Sequence, residues 1–122
     1  MPVRSQEELD AVVAERFHAR RVAALRPTLT AELVAEHRRS PLGPHSDALQ
    51  RVLNYLGLFG IDGKLITEHD DEHWFVCRLA GFPALSAERI DGPFASEAQA
   101  LHAVFRRRLA DVFGLDFPVP AE

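Results

Sequence analysis

A helix-start signal followed by an apolar stripe is the feature that most limits the fold of this chain. Ser96 lies three residues before Gln99, which is the spacing of a capping box, where the hydroxyl accepts a free helical amide and the glutamine reaches back. Apolar residues then recur at helical spacing: Ala98, Leu101, Phe105, Leu109 and Val112. Such a stripe is stable only when another element covers it. The sequence therefore predicts an amphipathic helix packed on a second layer.

Three further helices are predicted before it, each with its own boundary signals. A capping box at residues 5–8 begins the first helix, which is expected to continue to about Leu25 because Pro27 disfavours helical geometry in the preceding residue. Pro27 is predicted in the first turn of a second helix. Ser46 is expected to cap a third, which Gly57 ends. The apolar positions are Leu9, Val12, Val13 and Phe17 in the first helix, Leu29, Leu33 and Val34 in the second, and Leu49, Val52, Leu53 and Leu56 in the third.

From Lys64 onward, the spacing of apolar residues changes from the helical period to the two-residue period of strands. Residues 64–68 and 73–79 are predicted as strands joined by an acidic turn, with a third strand around residues 85–90 and a turn at residues 91–93. In the second strand, Phe75, Cys77 and Leu79 share the face that is predicted to lie inward. Short links favour an antiparallel meander. The predicted fold is α+β: N-terminal helices, a three-stranded antiparallel meander and a C-terminal helix packed on the sheet.

Length and charge restrict the organisation and the class of partner. The 122 residues predict a single domain over 1–122, with a helical arm at 1–40, a compact body at 41–113 and an extended tail at 114–122. The net charge of −4 is unlike that of a nucleic-acid binder. No apolar run reaches the ~20 residues that span a bilayer, and no signal peptide is evident. The expected location is therefore the cytoplasm, with neither membrane nor nucleic acid as partner.

No self-sufficient active site can be assembled from the sequence. Cys77 has no base beside it, and its alternation with apolar neighbours favours a packed thiol. His69 and His73 flank a turn, so helical metal-ligand spacing does not apply to them. His102 lies at the edge of the apolar stripe, where it is either a satisfied boundary residue or a donor across a subunit contact. The prediction is that this chain holds no catalytic residue, no metal and no cofactor of its own.

Two cassettes in fixed order carry a resemblance to a known family. The first is Leu49-Gln-Arg-Val-Leu-Asn-Tyr-Leu56, and the second is Leu101-His-Ala-Val-Phe105 followed by three arginines. The two cassettes resemble the small subunit of N,N-dimethylformamidase, and the resemblance extends over residues 36–110. It also includes Glu36-His37, Pro41-Leu42-Gly43, Gly63, Trp74, Arg78, Phe94, Ser96, Glu97 and Ala100. The chain departs from the family by being shorter between Gly43 and Ser46 and by having Leu53 at a position where a polar side chain is familiar.

The resemblance implies an accessory role in a heteromeric amidohydrolase. In that family a large chain holds the catalytic iron through two tyrosines and a glutamate, and the small chain supplies no ligand to it. Tyr55 is the only tyrosine here, which agrees with that role. The implied partner is a large catalytic subunit, as two small plus two large chains or a multiple. The predicted interface residues are Trp74, His102, Arg107, Leu115, Phe117 and Val119.

Two other interpretations remain open. One is a free-standing α+β module that forms a homodimer through its sheet and binds a small ligand or another protein. The other is a small enzyme that uses Cys77 or a histidine, although no convergent constellation supports it.

Overall fold

The computed structural model describes residues 5–58, 64–80 and 86–117. It has the predicted α+β architecture, in which a three-stranded antiparallel sheet of order β1-β2-β3 packs against the C-terminal helix. The elements are α1 (Gln6–Leu25), a 3-10 turn (Arg26–Thr28), α2 (Ala31–Arg39), α3 (Asp47–Leu56), β1 (Leu65–His69), β2 (Trp74–Leu79), β3 (Ala87–Phe94) and α4 (Glu97–Phe113).

Hydroxyl side chains begin all four of these α-helices. Ser5, Ser46 and Ser96 each accept the amide three residues on, as the sequence predicts. The predicted start of the second helix is wrong. Pro27 lies in the 3-10 turn, and α2 begins only after Thr30, whose extended backbone lets its hydroxyl accept the amide of Leu33.

Helix α4 belongs to two apolar clusters at once. Its Phe105, Leu109 and Phe113 enter a helical cluster, and its Val104 packs against the sheet with Leu65 and Val76. The other buried members of the helical cluster are Leu25, Leu29, Leu33, Val34, Leu49, Val52, Tyr55 and Leu56. The predicted stripe centred on Phe105 is therefore confirmed, with a second buried side that the stripe alone did not indicate.

The face of the sheet that packs against α4 is the opposite of the one predicted from the sequence. Val76 packs against α4, whereas Cys77, on the other face of β2, is also fully buried. Cys77 donates to a carboxylate oxygen of Glu68 at 3.3 Å, and Arg89 binds that same carboxylate from β3. Alternation along a strand separates two faces but does not say which one meets a helix.

Strand β3 continues through the segment predicted as a turn. Residues 91–93 remain in the strand, and Trp74 of β2 pairs with Phe94 across a register irregularity. Gly92 makes this course feasible because it adopts φ 121°, a conformation that other residues rarely take. The start predicted for this strand, around Leu85, lies outside the described residues. Within them the strand begins at Ala87.

The helical segments differ in how much of their surface is covered. Helix α2 places Leu33 and Val34 in the same cluster as α3 and α4, whereas most of α1 before His18 is exposed. None of the helices within the described ranges is both long enough and apolar enough to cross a membrane.

Candidate functional site

A buried pair of histidines joins α2 to α4 beside a cleft. His37 and His102 are only 4% and 7% exposed, and their Nδ1 atoms lie 2.9 Å apart. A nitrogen–nitrogen bond of this kind requires one ring to donate and the other to accept, so at least the accepting ring is uncharged in it. His37 also stacks on Phe105 with ring centroids 4.1 Å apart. The pair is therefore a polar connection inside a largely apolar contact.

Burial keeps this pair neutral at physiological pH. It lowers the pKa of His37 to about 4, helped by the charges that His102 and His45 would carry and opposed by Glu36. Burial also lowers the pKa of His102 to about 4, with Arg106 and Arg38 adding to the effect. Neither ring is an imidazolium at neutral pH, and the Nδ1 atom of each is already engaged by the other.

The cleft next to His102 is lined by both polar and apolar side chains. Its volume is about 430 Å³. The polar lining residues are Arg38, Gln99, His102 and Arg106, and the apolar ones are Phe94, Ala98 and Ala103. Arg106 reaches Asp116 at 3.5 Å, and its buried Nε has no hydrogen-bond partner among the described residues. Two guanidinium groups in the same cleft as apolar side chains suit a carboxylate or amide side chain of another protein.

The three consecutive arginines of α4 project in different directions, as the helical spacing predicts. Arg107 donates to Asp91 at 3.3 Å and to the carbonyl of Ile90 at 3.4 Å, and Arg108 donates to the carbonyl of Leu65 at 3.2 Å. Arg106 and Arg107 are thus salt-bridged side chains rather than parts of a single basic patch. Arg107 connects α4 to β3 and remains partly exposed.

The other predicted interface residues lie apart from this cleft or outside the described ranges. Trp74 is partly buried at the start of β2 and stacks on His69 at 4.5 Å. Gly114, at φ 67°, ends α4, after which Leu115 and Phe117 pack on the helical cluster of the same chain. Val119 lies outside the described residues. A docking role for all six predicted residues stays a prediction, and of the described ones Trp74, Arg107, Leu115 and Phe117 do not line the cleft.

Cys77 has the features of a structural thiol. Burial raises its pKa, and the hydrogen bond and negative charge of Glu68 raise it further. A raised pKa suppresses the thiolate that nucleophilic attack requires. The described residues also contain no group of three or more histidine, cysteine or acidic side chains placed to hold a metal ion.

His37 is a site residue that the sequence pattern does not single out. It belongs to a run of polar residues, 36–40, at the end of α2, yet it is buried. The signal was present, because His37 lies three and four residues after the buried Val34 and Leu33 and so shares their helix face. Its neighbour Glu36 faces away and accepts the amide of Ser46 at 2.7 Å, which links α2 to the start of α3.

Comparison with known proteins identifies the family. A family model for the N,N-dimethylformamidase alpha subunit matches residues 12–116. The chain belongs to this family. Two similar relatives are N,N-dimethylformamidase alpha subunits, one from Paracoccus aminophilus, 36% identical over 89 residues, and one from an Alcaligenes species, 37% identical over 90 residues. Each alignment covers 66% of this chain, and it spans 60% and 64% of the respective relative.

The dimethylformamidase alpha-subunit match includes the histidine pair and the cleft but not every predicted contact. Trp74, His102, Arg107 and Leu115 fall within residues 12–116, whereas Phe117 and Val119 follow the matched region. The match also begins after Leu9, within α1. The family assignment thus covers the sheet, α2, α3 and α4 completely.

Proposed function

We propose that this chain is the non-catalytic small subunit of a dimethylformamidase-like amidohydrolase, where it stabilises a large catalytic chain. The observation that carries the proposal is the alpha-subunit family match over residues 12–116. A protein called an alpha subunit works in an assembly with a differently named chain. The proposed assembly contains two small and two large chains or a multiple of these, and its proposed location is the cytoplasm.

The chemistry of the described residues supports an accessory role. The Cys77 thiol is held protonated, and His37 and His102 bind each other through Nδ1. The iron that the resemblance implies is bound by two tyrosines and a glutamate, but this chain has a single tyrosine. Tyr55 is 4% exposed and hydrogen-bonded to His18, so it does not fit a ligand role. The iron is therefore proposed to belong to the large subunit.

The cleft at His102 is the proposed centre of the contact with the large chain. Its lining combines two arginines with apolar residues of α4 and β3, and His102 is one of the predicted interface residues. Trp74, Arg107, Leu115, Phe117 and Val119 are proposed as further contacts. An acidic side chain of the large subunit entering between Arg38 and Arg106 would form charge-assisted hydrogen bonds in a partly desolvated position.

Co-expression with the large chain tests this proposal. The large chain alone should show amide hydrolysis but low soluble yield, and the small chain alone should show none. Arg38→Glu should reduce recovery of the complex at least tenfold because it replaces one of the two positive charges of the cleft with a negative charge. Arg39→Glu is the matched control, since Arg39 is the next residue on α2, is exposed and does not line the cleft.

Three outcomes would contradict the proposal or part of it. Amide hydrolysis by the small chain alone would show that it is catalytic. Equal recovery of the complex from Arg38→Glu and Arg39→Glu would remove the cleft from the interface. A failure of the two wild-type chains to associate under any condition would favour the free-standing module.

A further inference from the structure

Helix α1 carries an apolar stripe that the described chain leaves exposed. Leu9, Val13 and Phe17 are 44%, 65% and 57% exposed. They are four residues apart, so successive side chains differ by only about 40° around the helix and form one continuous stripe. Three large apolar side chains in a row on the surface of a small protein indicate a contact with another chain.

The body of the protein holds α1 by its C-terminal part. His18 bonds to Tyr55, the Arg21 guanidinium lies 6.0 Å from the Tyr55 ring centroid, and Val22 and Leu25 pack in the helical cluster. All four of these α1 residues follow Phe17 along the helix. The three side chains of the stripe precede this attachment and are exposed in the folded chain.

The charges of α1 are divided between its two halves. On the side of the stripe, Asp10 lies in the N-terminal half and Arg16 and Arg20 lie in the C-terminal half; all three are exposed and within about 60° of Val13. Two such helices side by side in parallel would place like charges together. An antiparallel pair places the acidic half of each helix beside the basic half of the other and also opposes the two helix dipoles.

The stripe has the symmetry that an antiparallel pair requires. Leu9 and Phe17 are each four residues from Val13, so a twofold axis at Val13 sets Leu9 of one copy against Phe17 of the other and the two Val13 side chains against each other. Such an isologous contact uses the same patch on both subunits. The division of charge and the spacing of the stripe therefore both favour a second copy of this chain as the partner that covers the stripe.

We propose that two copies of this chain associate through their α1 helices in antiparallel orientation, with Val13 on the twofold axis. A pair of three-residue stripes is smaller than the stable interfaces that bury about 1,200–2,000 Å². The dimer is therefore reversible and depends on concentration. It uses none of the residues of the His102 cleft, so it is independent of the proposed contact with a large subunit.

Sedimentation of the full chain over a wide concentration range tests the association. The wild-type chain should shift from monomer to dimer as concentration rises, and Val13→Asp should remain monomeric because it places two negative charges on the axis. Ala19→Asp is the matched control: Ala19 is exposed on the same helix, about 120° from Val13, and its variant should dimerise like the wild type. Circular dichroism establishes that each variant keeps its helices.

Cysteine cross-linking tests the orientation. Val13→Cys should form a disulfide-linked dimer, whereas Leu9→Cys alone should not, because two antiparallel Leu9 positions lie ~12 Å apart along the axis, beyond disulfide reach. A mixture of Leu9→Cys with Phe17→Cys should cross-link. The wild-type chain is the control because its Cys77 is buried.

Several results would overturn the proposal. The first is a wild-type chain that stays monomeric over the whole concentration range, and the second is a dimer that Val13→Asp does not weaken. The third is that Leu9→Cys and Phe17→Cys each form a disulfide-linked dimer alone, which indicates a parallel pair. A monomeric wild type whose Val13→Asp variant loses the large chain would show that the stripe docks on that chain instead. Such a result would leave the proposed subunit function intact.

Discussion

At the scale of single residues, the buried pair of His37 and His102 couples folding to pH. Both have a pKa of about 4 in the folded chain, below the ordinary value of 6.5. Between these values the unfolded chain binds more protons than the folded chain. The free energy of unfolding therefore falls as the pH drops through that window, and it is highest above about pH 6.5.

The first prediction follows from this linkage. Between pH 7.5 and pH 5 the free energy of unfolding should decrease by on the order of 2 kcal/mol for each ring of the pair. His102→Gln should remove roughly half of that decrease because it leaves one titrating ring. Urea unfolding at several pH values measures the effect.

A non-titrating substitution on the surface supplies the control for this measurement. Ala19→Gln should leave the pH dependence unchanged, since Ala19 is exposed on α1 and neither side chain titrates. The pKa values of carboxylates such as Glu36 and Glu68 are also lowered, but these groups change the free energy of unfolding only at lower pH, below their ordinary pKa of 4.5. An undiminished decrease in His102→Gln would show that the pair is not its source.

At the scale of elements, the course of β3 depends on Gly92. A Cβ at this position would lie 2.9 Å from Cδ1 of Phe75 and 3.0 Å from the carbonyl oxygen of Trp74. Both neighbours belong to the paired strand β2, and the oxygen is part of its backbone. The irregular pairing of β2 with β3 therefore has no space for a side chain at residue 92.

The second prediction compares this glycine with the one that ends α4. Gly92→Ala should destabilise the chain by about 2–3 kcal/mol, because it combines an unfavourable φ of 121° with a close backbone contact. Gly114→Ala should cost only about 1 kcal/mol, since Gly114 has φ 67° but no atom within 4 Å of the added Cβ. Denaturant unfolding of both variants measures the difference. Equal costs would mean that the backbone conformation alone matters.

At the scale of the whole molecule, α4 connects the helical cluster to the sheet cluster. Phe105, Leu109 and Phe113 serve the first cluster and Val104 the second. Arg107 and Arg108 add hydrogen bonds from α4 to β3 and β1. Because one helix completes both clusters, we expect the two clusters to unfold together.

The third prediction is that the chain unfolds in a single transition. Fluorescence of Trp74, the only tryptophan, reports the sheet, and far-ultraviolet circular dichroism reports mainly the helices. The two signals should change at the same denaturant concentration. Phe105→Ala, which truncates a side chain that is 2% exposed, should shift both midpoints together and cost about 3–5 kcal/mol. Separate midpoints for the two signals would contradict the prediction.

Local chemistry in the sequence determined most of the secondary structure. Ser5, Ser46 and Ser96 predicted three helix starts, and the change of period at residue 64 predicted the strands, because hydroxyl caps and side-chain alternation depend only on near neighbours. The collinear cassettes also led to the family that the comparison confirmed.

Tertiary structure decided what local patterns leave undetermined. Which face of β2 meets α4, and whether Asp91-Gly92-Pro93 turns or extends, depend on contacts between residues that are far apart in the sequence. The pairing of His37 with His102 spans 65 residues. A polar residue in a charged stretch is exposed by default, and only a partner brought by another element makes its burial favourable, because an unpaired buried polar group is costly. The sequence therefore determined the elements, whereas the packing of α2 and the sheet around α4 decided the site.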